Sequence, residues 1–119
     1  MTQQPLMQKS CVPCRGDTPP LTPEEVARLA PQAPGWAVEQ GRRLRRTFRF
    51  RDFATALAFV DRVGALAEAE GHHPDISFGW GRVEVTFTTH IIKGLSENDF
   101  IMAAKTDALA GDAPGLRRS

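Results

Sequence analysis

The spacing of the hydrophobic residues changes twice along this chain, and the change constrains the fold more than any other feature. Hydrophobic residues occupy every second position at Phe48 and Phe50, and again from Val83 to Phe87. Such alternation is typical of strands with one buried and one solvated face. Between these runs, residues 52–70 carry an apolar stripe at helical spacing: Phe53, Ala56, Leu57, Val60, Val63, Leu66 and Ala67. Strands and helices are therefore expected to alternate.

Capping and turn residues bound each predicted element. The run 22–25, Thr-Pro-Glu-Glu, has the order of an N-cap, a first-turn proline and the glutamate of a capping box. Glycine-containing turns predict two hairpins, over residues 36–51 and 76–89. The remaining boundary residues are two candidate N-caps and three glycines: Asp52, Ser96, Gly41, Gly71 and Gly81.

The predicted element order is α-β-β-α-β-β-α, which indicates a single α+β domain. We expect a four-stranded antiparallel sheet with three helices on one face. The 119 residues leave room for one domain of ordinary size. Residues 1–20 are interpreted as an N-terminal arm, residues 21–110 as the folded domain and residues 111–119 as a polar tail.

Charge and hydropathy exclude several classes of protein. The net charge of +1 creates no field that would recruit nucleic acid or a membrane. No apolar stretch approaches the ~20 residues that span a bilayer, and the first ten residues lack the apolar core of a secretory signal. We therefore expect a cytoplasmic protein that binds neither a membrane nor nucleic acid.

Two cysteines, Cys11 and Cys14, form a lone Cys-x-x-Cys in the proline-rich arm. Without a second pair the motif is a weak indication of a metal site, and it does not open a helix as a redox motif would. In a reducing cytoplasm both thiols are expected to be free. The favoured interpretation is an inert leader element.

The three histidines of the chain, His72, His73 and His90, fall within 19 residues. Partners around one antiparallel turn have position numbers with a constant sum. If the second hairpin turns near Gly81, that sum is about 162 and His72 lies opposite His90. A pairing error of two residues would separate them by only ~7 Å, at ~3.3 Å per residue. The spacing thus predicts that the three imidazoles share one pocket.

Imidazoles suit general acid/base catalysis, because their reference pKa near ~6.5 lets them give or take a proton at neutral pH. Two alternatives stay open. The histidines could be surface or packing residues, or three histidines could bind a catalytic zinc ion. Zinc is less favoured, since adjacent residues of an extended strand point to opposite sides. Asp99 is either a helix-capping carboxylate or a support for a histidine.

Six arginines lie between residues 42 and 51: Arg42, Arg43, Arg45, Arg46, Arg49 and Arg51. A basic strand face could grip phosphates. The favoured alternative is a solvated face, or one that pairs with acidic helix residues or with a neighbouring subunit.

Several motifs in fixed order resemble the pterin-4a-carbinolamine dehydratase family over about residues 21–107. They are Glu68-Ala-Glu-Gly-His72-His73-Pro74, Trp80, Val83, Thr89-His90 and Gly94-Leu95-Ser96-x-x-Asp99, preceded by Gly35-Trp36, Phe48-x-Phe50-x-Asp52-Phe53 and Ala56-x-x-Phe59. The combination is far more specific than any single piece. The leader and residues 98–104 are similar to the bacterial branch.

The resemblance implies the α+β fold, a homodimer or homotetramer, and no metal or organic cofactor. Members convert 4a-hydroxytetrahydropterin to quinonoid dihydropterin and water, and so recycle the pterin of aromatic amino-acid hydroxylases. By position, the resemblance implies acid/base and substrate-binding roles for His72, His73 and His90. It also implies that Pro74, Thr89, Ile91 and Ile92 shape the pterin pocket. The carboxylates of Glu68 and Asp99 would support the histidines.

Two points qualify the resemblance. Some relatives carry an acidic residue directly before the histidine pair, where this chain has Gly71. Any such role would fall to Glu68 or Glu70. Animal members also serve as a dimerisation cofactor of a homeodomain transcription factor, so a protein-interaction module without essential catalysis is the alternative function.

Overall fold

The computed structural model describes residues 5–13 and 15–117 and shows the predicted order of elements. The helices and strands are α1 (Pro23–Leu29), β1 (Ala37–Glu39), β2 (Arg43–Phe50), α2 (Phe53–Glu70), β3 (Asp75–Gly79), β4 (Arg82–Phe87), α3 (Glu97–Gly111) and β5 (Leu116–Arg117). Short 3-10 turns add Leu6–Gln8, Ala30–Gln32 and His90–Ile92. The α+β class is confirmed.

The predicted caps start and stop these helices. Thr22 opens α1 with a full capping box to Glu25. The Asp52 side chain accepts a hydrogen bond from the Thr55 N–H at the start of α2, and Gly71 ends that helix in the left-handed conformation with φ of 68°. Local sequence chemistry therefore sets the end of α2, directly before His72.

The sheet is antiparallel with the order β1-β2-β4-β3, and β5 pairs with β2 as a fifth strand. Leu116 lies opposite Phe50, so part of the segment interpreted as a polar tail joins the sheet. Sequence analysis did not anticipate this strand, because two residues carry no alternation that could be recognised.

The second hairpin is tighter by one position than expected. Gly79 pairs with Arg82, so the turn contains only Trp80 and Gly81 and the position numbers of the partners add to one less than predicted. Gly81 has φ of 65°, and a Cβ there would lie 2.7 Å from the Phe50 carbonyl oxygen. This close approach requires glycine and shifts the centre of the turn. The register correction leaves the two ends of the hairpin on the same side of the domain.

Helices α2 and α3 cover one face of the sheet and form the core with it. Phe59 of α2 lies with its ring centroid 4.9 Å from Phe48 and 5.1 Å from Phe50. The buried face of α2 consists of Ala56, Phe59, Val63 and Ala67. Two members of the predicted apolar stripe, Phe53 and Leu57, lie at its margin and are 43% and 41% exposed.

The N-terminal arm packs against this core. Leu6 is 1% exposed and belongs to the same hydrophobic cluster as α2 and α3. Its backbone N–H donates to the Gln32 side-chain oxygen at 3.0 Å. In the described part of the chain, no helix combines the length and apolar character that a membrane crossing needs.

Replacing Phe59 by alanine should destabilise the fold by about 3–5 kcal/mol, because it removes a ring that fills the space between α2 and β2. Equilibrium urea unfolding at one protein concentration measures the effect. Leu57→Ala on the same helix is the matched control, and we expect it to cost less than about 1 kcal/mol since Leu57 is half-exposed. Equal costs at the two positions would contradict the assignment of the buried helix face.

Candidate active site

Two chain segments bring the three histidines together. His72 and His73 directly follow the end of α2, and His90 begins the 3-10 turn after β4. All three line one cavity of about 420 Å³. Neither His72 nor His90 belongs to the β3–β4 ladder, whose last pair joins Asp75 to Thr86. The predicted convergence occurs, although it depends on the segments beyond the strands rather than on direct pairing.

Asp99 holds the part of the site around His72. Its carboxylate is fully buried, and Oδ1 lies 2.6 Å from His72 Nε2. The other oxygen, Oδ2, accepts hydrogen bonds from the Ser96 N–H at 2.9 Å and the Thr89 hydroxyl at 2.8 Å. Asp99 is therefore both the glutamate-like member of a capping box on α3 and the partner of a histidine. Asp99 thus caps α3 through Oδ2 and contacts His72 through Oδ1, so both interpretations of this residue apply.

The His72 ring is fixed on a second side by Phe87. The two rings are stacked, with an interplanar angle of 15° and centroids 6.4 Å apart. The His72 side chain is 14% exposed. A ring that is stacked on a core aromatic and bonded to a buried carboxylate has little rotational freedom, so His72 is a pre-organised group.

His73 and His90 are held far more loosely. His73 Nε2 contacts the Glu68 carboxylate, but both side chains are mostly exposed, at 59% and 78%. Exposed pairs of this kind contribute little energy. His90 is exposed, and no side chain among residues 5–13 and 15–117 hydrogen-bonds to its ring. The site thus combines one fixed imidazole with two accessible ones.

The remaining predicted pocket residues fall into two groups. Thr89 and Ile91 line the cavity with the histidines, and Ile91 is 59% exposed there. Pro74 and Ile92 do not line this cavity, and Ile92 is buried. Within the described ranges, no three histidine, cysteine, aspartate or glutamate side chains form a group that could hold a metal ion.

Sequence reasoning missed one side of the cavity. Cys11, Val12 and Pro13 of the arm line it, together with Glu70 and Asn98. The segment interpreted as an inert leader therefore lies beside the histidines, while Cys14 lies outside the described residues. Cys11 and Glu70 are 59 positions apart in the chain. No local pattern could have linked them.

Glu70 anchors the arm at the edge of the cavity. Its Oε1 accepts from the Cys11 N–H at 2.8 Å, and its Oε2 accepts from Lys105 Nζ at 3.2 Å. The hydrogen bond from the Cys11 backbone, followed by that from Lys105, lowers the pKa of the Glu70 carboxyl. Burial, and then the Glu70 charge, raises the pKa of the Cys11 thiol to about 12.

The arginine run does not line the histidine cavity, and three of its six members, Arg45, Arg46 and Arg51, pair with acidic side chains. Arg45 contacts Glu39 and Glu84, and Arg46 Nη1 donates to Asp107 Oδ1 at 2.8 Å. Burial raises the pKa of the Asp107 carboxyl, against the opposing effects of Trp36 and Arg46. Pairing with an acidic helix residue, one part of the favoured alternative, occurs at Arg46, whereas Arg45 pairs with acidic residues of β1 and β4.

In a Cys14→Ser variant, we expect iodoacetamide to alkylate native Cys11 at pH 8 at least ~100-fold more slowly than the urea-unfolded chain. An unfolded thiol with a pKa near ~8.5 is partly ionised at that pH, whereas a thiol with a pKa of about 12 is almost fully protonated. Mass spectrometry gives the rates. Glu70→Gln should speed alkylation of the native protein, because it removes a charge that disfavours the thiolate. Equal rates in native and unfolded protein would show that the arm is not docked.

Comparisons with known proteins agree with the fold and with the histidine motifs. The sequence model described as "Pterin 4 alpha carbinolamine dehydratase" matches residues 19–109. A relative from Rubrobacter xylanophilus, provisionally named a pterin-4-alpha-carbinolamine dehydratase, is 61% identical over 87% of this chain and 97% of its own length.

Two solved structures share the fold. The transcriptional coactivator/pterin dehydratase of Brucella melitensis is 36% identical with a TM-score of 0.71, over 76% of this chain and 97% of its own. A pterin dehydratase-like protein described as a RuBisCO assembly factor in the alpha-carboxysome is 33% identical with a TM-score of 0.57, over 66% of this chain and 93% of its own. From the sequence match and the shared fold, the chain belongs to the pterin-4a-carbinolamine dehydratase family.

Proposed function

We propose that this protein catalyses the dehydration of a 4a-hydroxytetrahydropterin to a quinonoid dihydropterin and water. The observation that carries the proposal is the convergence of three imidazoles on one cavity, with one of them bonded to a buried carboxylate. Membership of the family supports the choice of reaction and substrate class.

The reaction requires two proton transfers. One proton goes to the 4a-hydroxyl group, so that the C4a–O bond breaks and water leaves. Another proton leaves N5, whose electron pair then forms the C4a=N5 double bond. Both steps are general acid/base chemistry, for which imidazole is the best suited side chain near neutral pH.

His72 is the candidate whose orientation is best defined. A carboxylate can only accept hydrogen bonds, so an ionised Asp99 would hold the proton on Nε2 of His72. Nδ1 is then the ring nitrogen that remains for exchange with the substrate. The stacking on Phe87 keeps the imidazole in this orientation. Asp99 therefore acts as a positioning residue through His72.

His90 and His73 complete the proposed machinery from the open side of the cavity. Because His90 is exposed and no side chain in the described part of the chain hydrogen-bonds to its ring, it can meet the substrate directly. Together with His72 it is our first choice for proton transfer. His73, paired with Glu68, would bind the substrate or take the second proton. Thr89 and Ile91 would contact the pterin, and Pro74 and Ile92 would support the shape of the surrounding segment.

The proposed physiological role is recycling of the pterin used by aromatic amino-acid hydroxylases, in the cytoplasm and by a homodimer or homotetramer. The reaction needs no cofactor, because it transfers only protons and water. These parts of the proposal are carried by the family resemblance rather than by contacts within one chain.

A protein-interaction module is the second candidate function. The Brucella relative is named a transcriptional coactivator as well as a pterin dehydratase, and the carboxysome protein is named an assembly factor. Trp80, at the tip of the second hairpin, is 75% exposed and offers a large apolar contact away from the histidine cavity. A pure interaction module would not require the histidine set, which favours the enzyme.

Replacing His73 or His90 by alanine should lower kcat by about 10²–10⁴-fold, the usual contribution of a general acid or base. The assay follows the ultraviolet absorbance of the quinonoid product formed from 4a-hydroxytetrahydropterin. Trp80→Ala is the control, and we expect it to retain wild-type turnover. If folded wild-type protein does not accelerate the reaction over buffer, the dehydratase proposal fails. The interaction module would then be the function to test.

The two carboxylate–histidine pairs should differ sharply in importance. Asp99→Asn should lower kcat by at least ~100-fold, because a neutral amide in a buried position cannot replace the carboxylate that orients His72. Glu68→Gln should change kcat less than about threefold, since that pair is exposed to water. Steady-state kinetics with a circular dichroism check of folding measures both. Equal losses would contradict the assignment of His72 as the pre-organised group.

A further inference from the structure

We propose that residues 11–13 of the N-terminal arm form one wall of the pterin site, with Val12 packing against the pterin and setting its affinity. This inference rests on the proposed function and adds a specificity-determining residue to it. The arm precedes residues 19–109, the segment that the family model matches. The match to the family model begins after residues 11–13, so the proposal rests on the contacts of the arm rather than on that match.

The backbone of the arm is fixed beside the cavity. The Val12 N–H donates to the Asn98 side-chain oxygen at 3.0 Å, and the Asn98 amide N–H donates back to the Val12 carbonyl. Next to it, the Cys11 N–H donates to Glu70. Further back, Leu6 is buried in the core. A segment anchored at Leu6, Cys11 and Val12 is a pre-organised wall rather than a loose tail.

The residues that anchor the arm belong to the same elements that hold the histidines. Glu70 is the last residue of α2 and lies two positions before His72. Asn98, which is 5% exposed, directly precedes Asp99 in the first turn of α3. The arm is thus hydrogen-bonded to the residue two positions before His72 and to the residue directly before Asp99. These two bonds set the position of the arm relative to the imidazoles.

The side chain of Val12 is mostly uncovered in the described structure. It is 66% exposed although its backbone is tightly held. Ile91, which also lines the cavity, is 59% exposed. Two apolar side chains and three imidazoles around one cavity suit a flat heteroaromatic ring, which has apolar faces and polar edges. Packing of Val12 on a ring face would bury apolar surface that otherwise contacts water.

A charge at position 12 should weaken pterin binding without slowing the chemical step. We expect Val12→Asp to raise KM for 4a-hydroxytetrahydropterin, and Kd for 7,8-dihydropterin, at least tenfold, with kcat within about twofold. The reason is that packing against the ring is equal in the ground state and the transition state, so its loss changes binding alone. Calorimetric titration with 7,8-dihydropterin measures Kd separately from turnover.

Two further variants distinguish packing of Val12 against the pterin from a general effect of changing the arm. Val12→Leu keeps an apolar side chain and should stay within about threefold of wild type in both constants. Met7→Asp places the same charge on a residue of the arm that is 49% exposed and does not line the cavity, and should leave both constants unchanged. Circular dichroism checks that each variant is folded.

The outcomes distinguish this proposal from the dehydratase itself. If wild-type protein binds 7,8-dihydropterin but does not dehydrate the substrate, the proposed function fails, and a weaker Kd for Val12→Asp still supports the wall. If folded Val12→Asp matches wild type in Kd and KM, or if wild-type protein binds no pterin, the wall proposal is overturned. Equal weakening by Met7→Asp would also overturn it, because the effect would then come from charge on the arm in general.

Discussion

The buried carboxylate of Asp99 is the interaction on which the candidate site depends. One oxygen closes the first turn of α3 through Ser96 and reaches Thr89 after β4, and the other meets His72 after α2. Removing a carboxylate from water is costly unless its oxygens receive hydrogen bonds. Asp99 satisfies that requirement only when all three segments are in position. The same bonds that make its burial possible therefore assemble the site.

The core supplies the rigidity that this arrangement needs. Phe59 of α2 packs against Phe48 of β2, and the ring of Phe87 at the end of β4 stacks on the ring of His72. Because protein interiors are closely packed, a displacement of α2 or β4 would also move the ring of His72. The loosely held histidines lie on the open side of the cavity instead, where a substrate must enter. The side of the site that holds His72 is therefore rigid, and the side that holds His73 and His90 is accessible to the substrate.

The arm adds a boundary that the core alone does not provide. Glu70 and Asn98 accept backbone N–H groups of the arm, and each lies within two residues of a member of the His72–Asp99 pair. Long-range hydrogen bonds of this kind connect Cys11 and Val12 of the arm with two helix ends. A cavity formed by α2, α3 and β4 alone would be more open on that side. The arm narrows it with apolar side chains close to polar imidazoles.

The sequence by itself determined every helix and strand except β5, the order of these elements and the family. Thr22, Asp52 and Gly71 act within one helical turn, and alternation at Phe48 and Phe50 depends only on neighbouring residues. It also indicated that the three histidines converge. Only the tertiary structure decided the one-position shift of the second hairpin, the pairing of Leu116 with Phe50, and the place of Val12 beside the histidines. These features depend on contacts between residues far apart in the chain, and local patterns carry no information about such contacts.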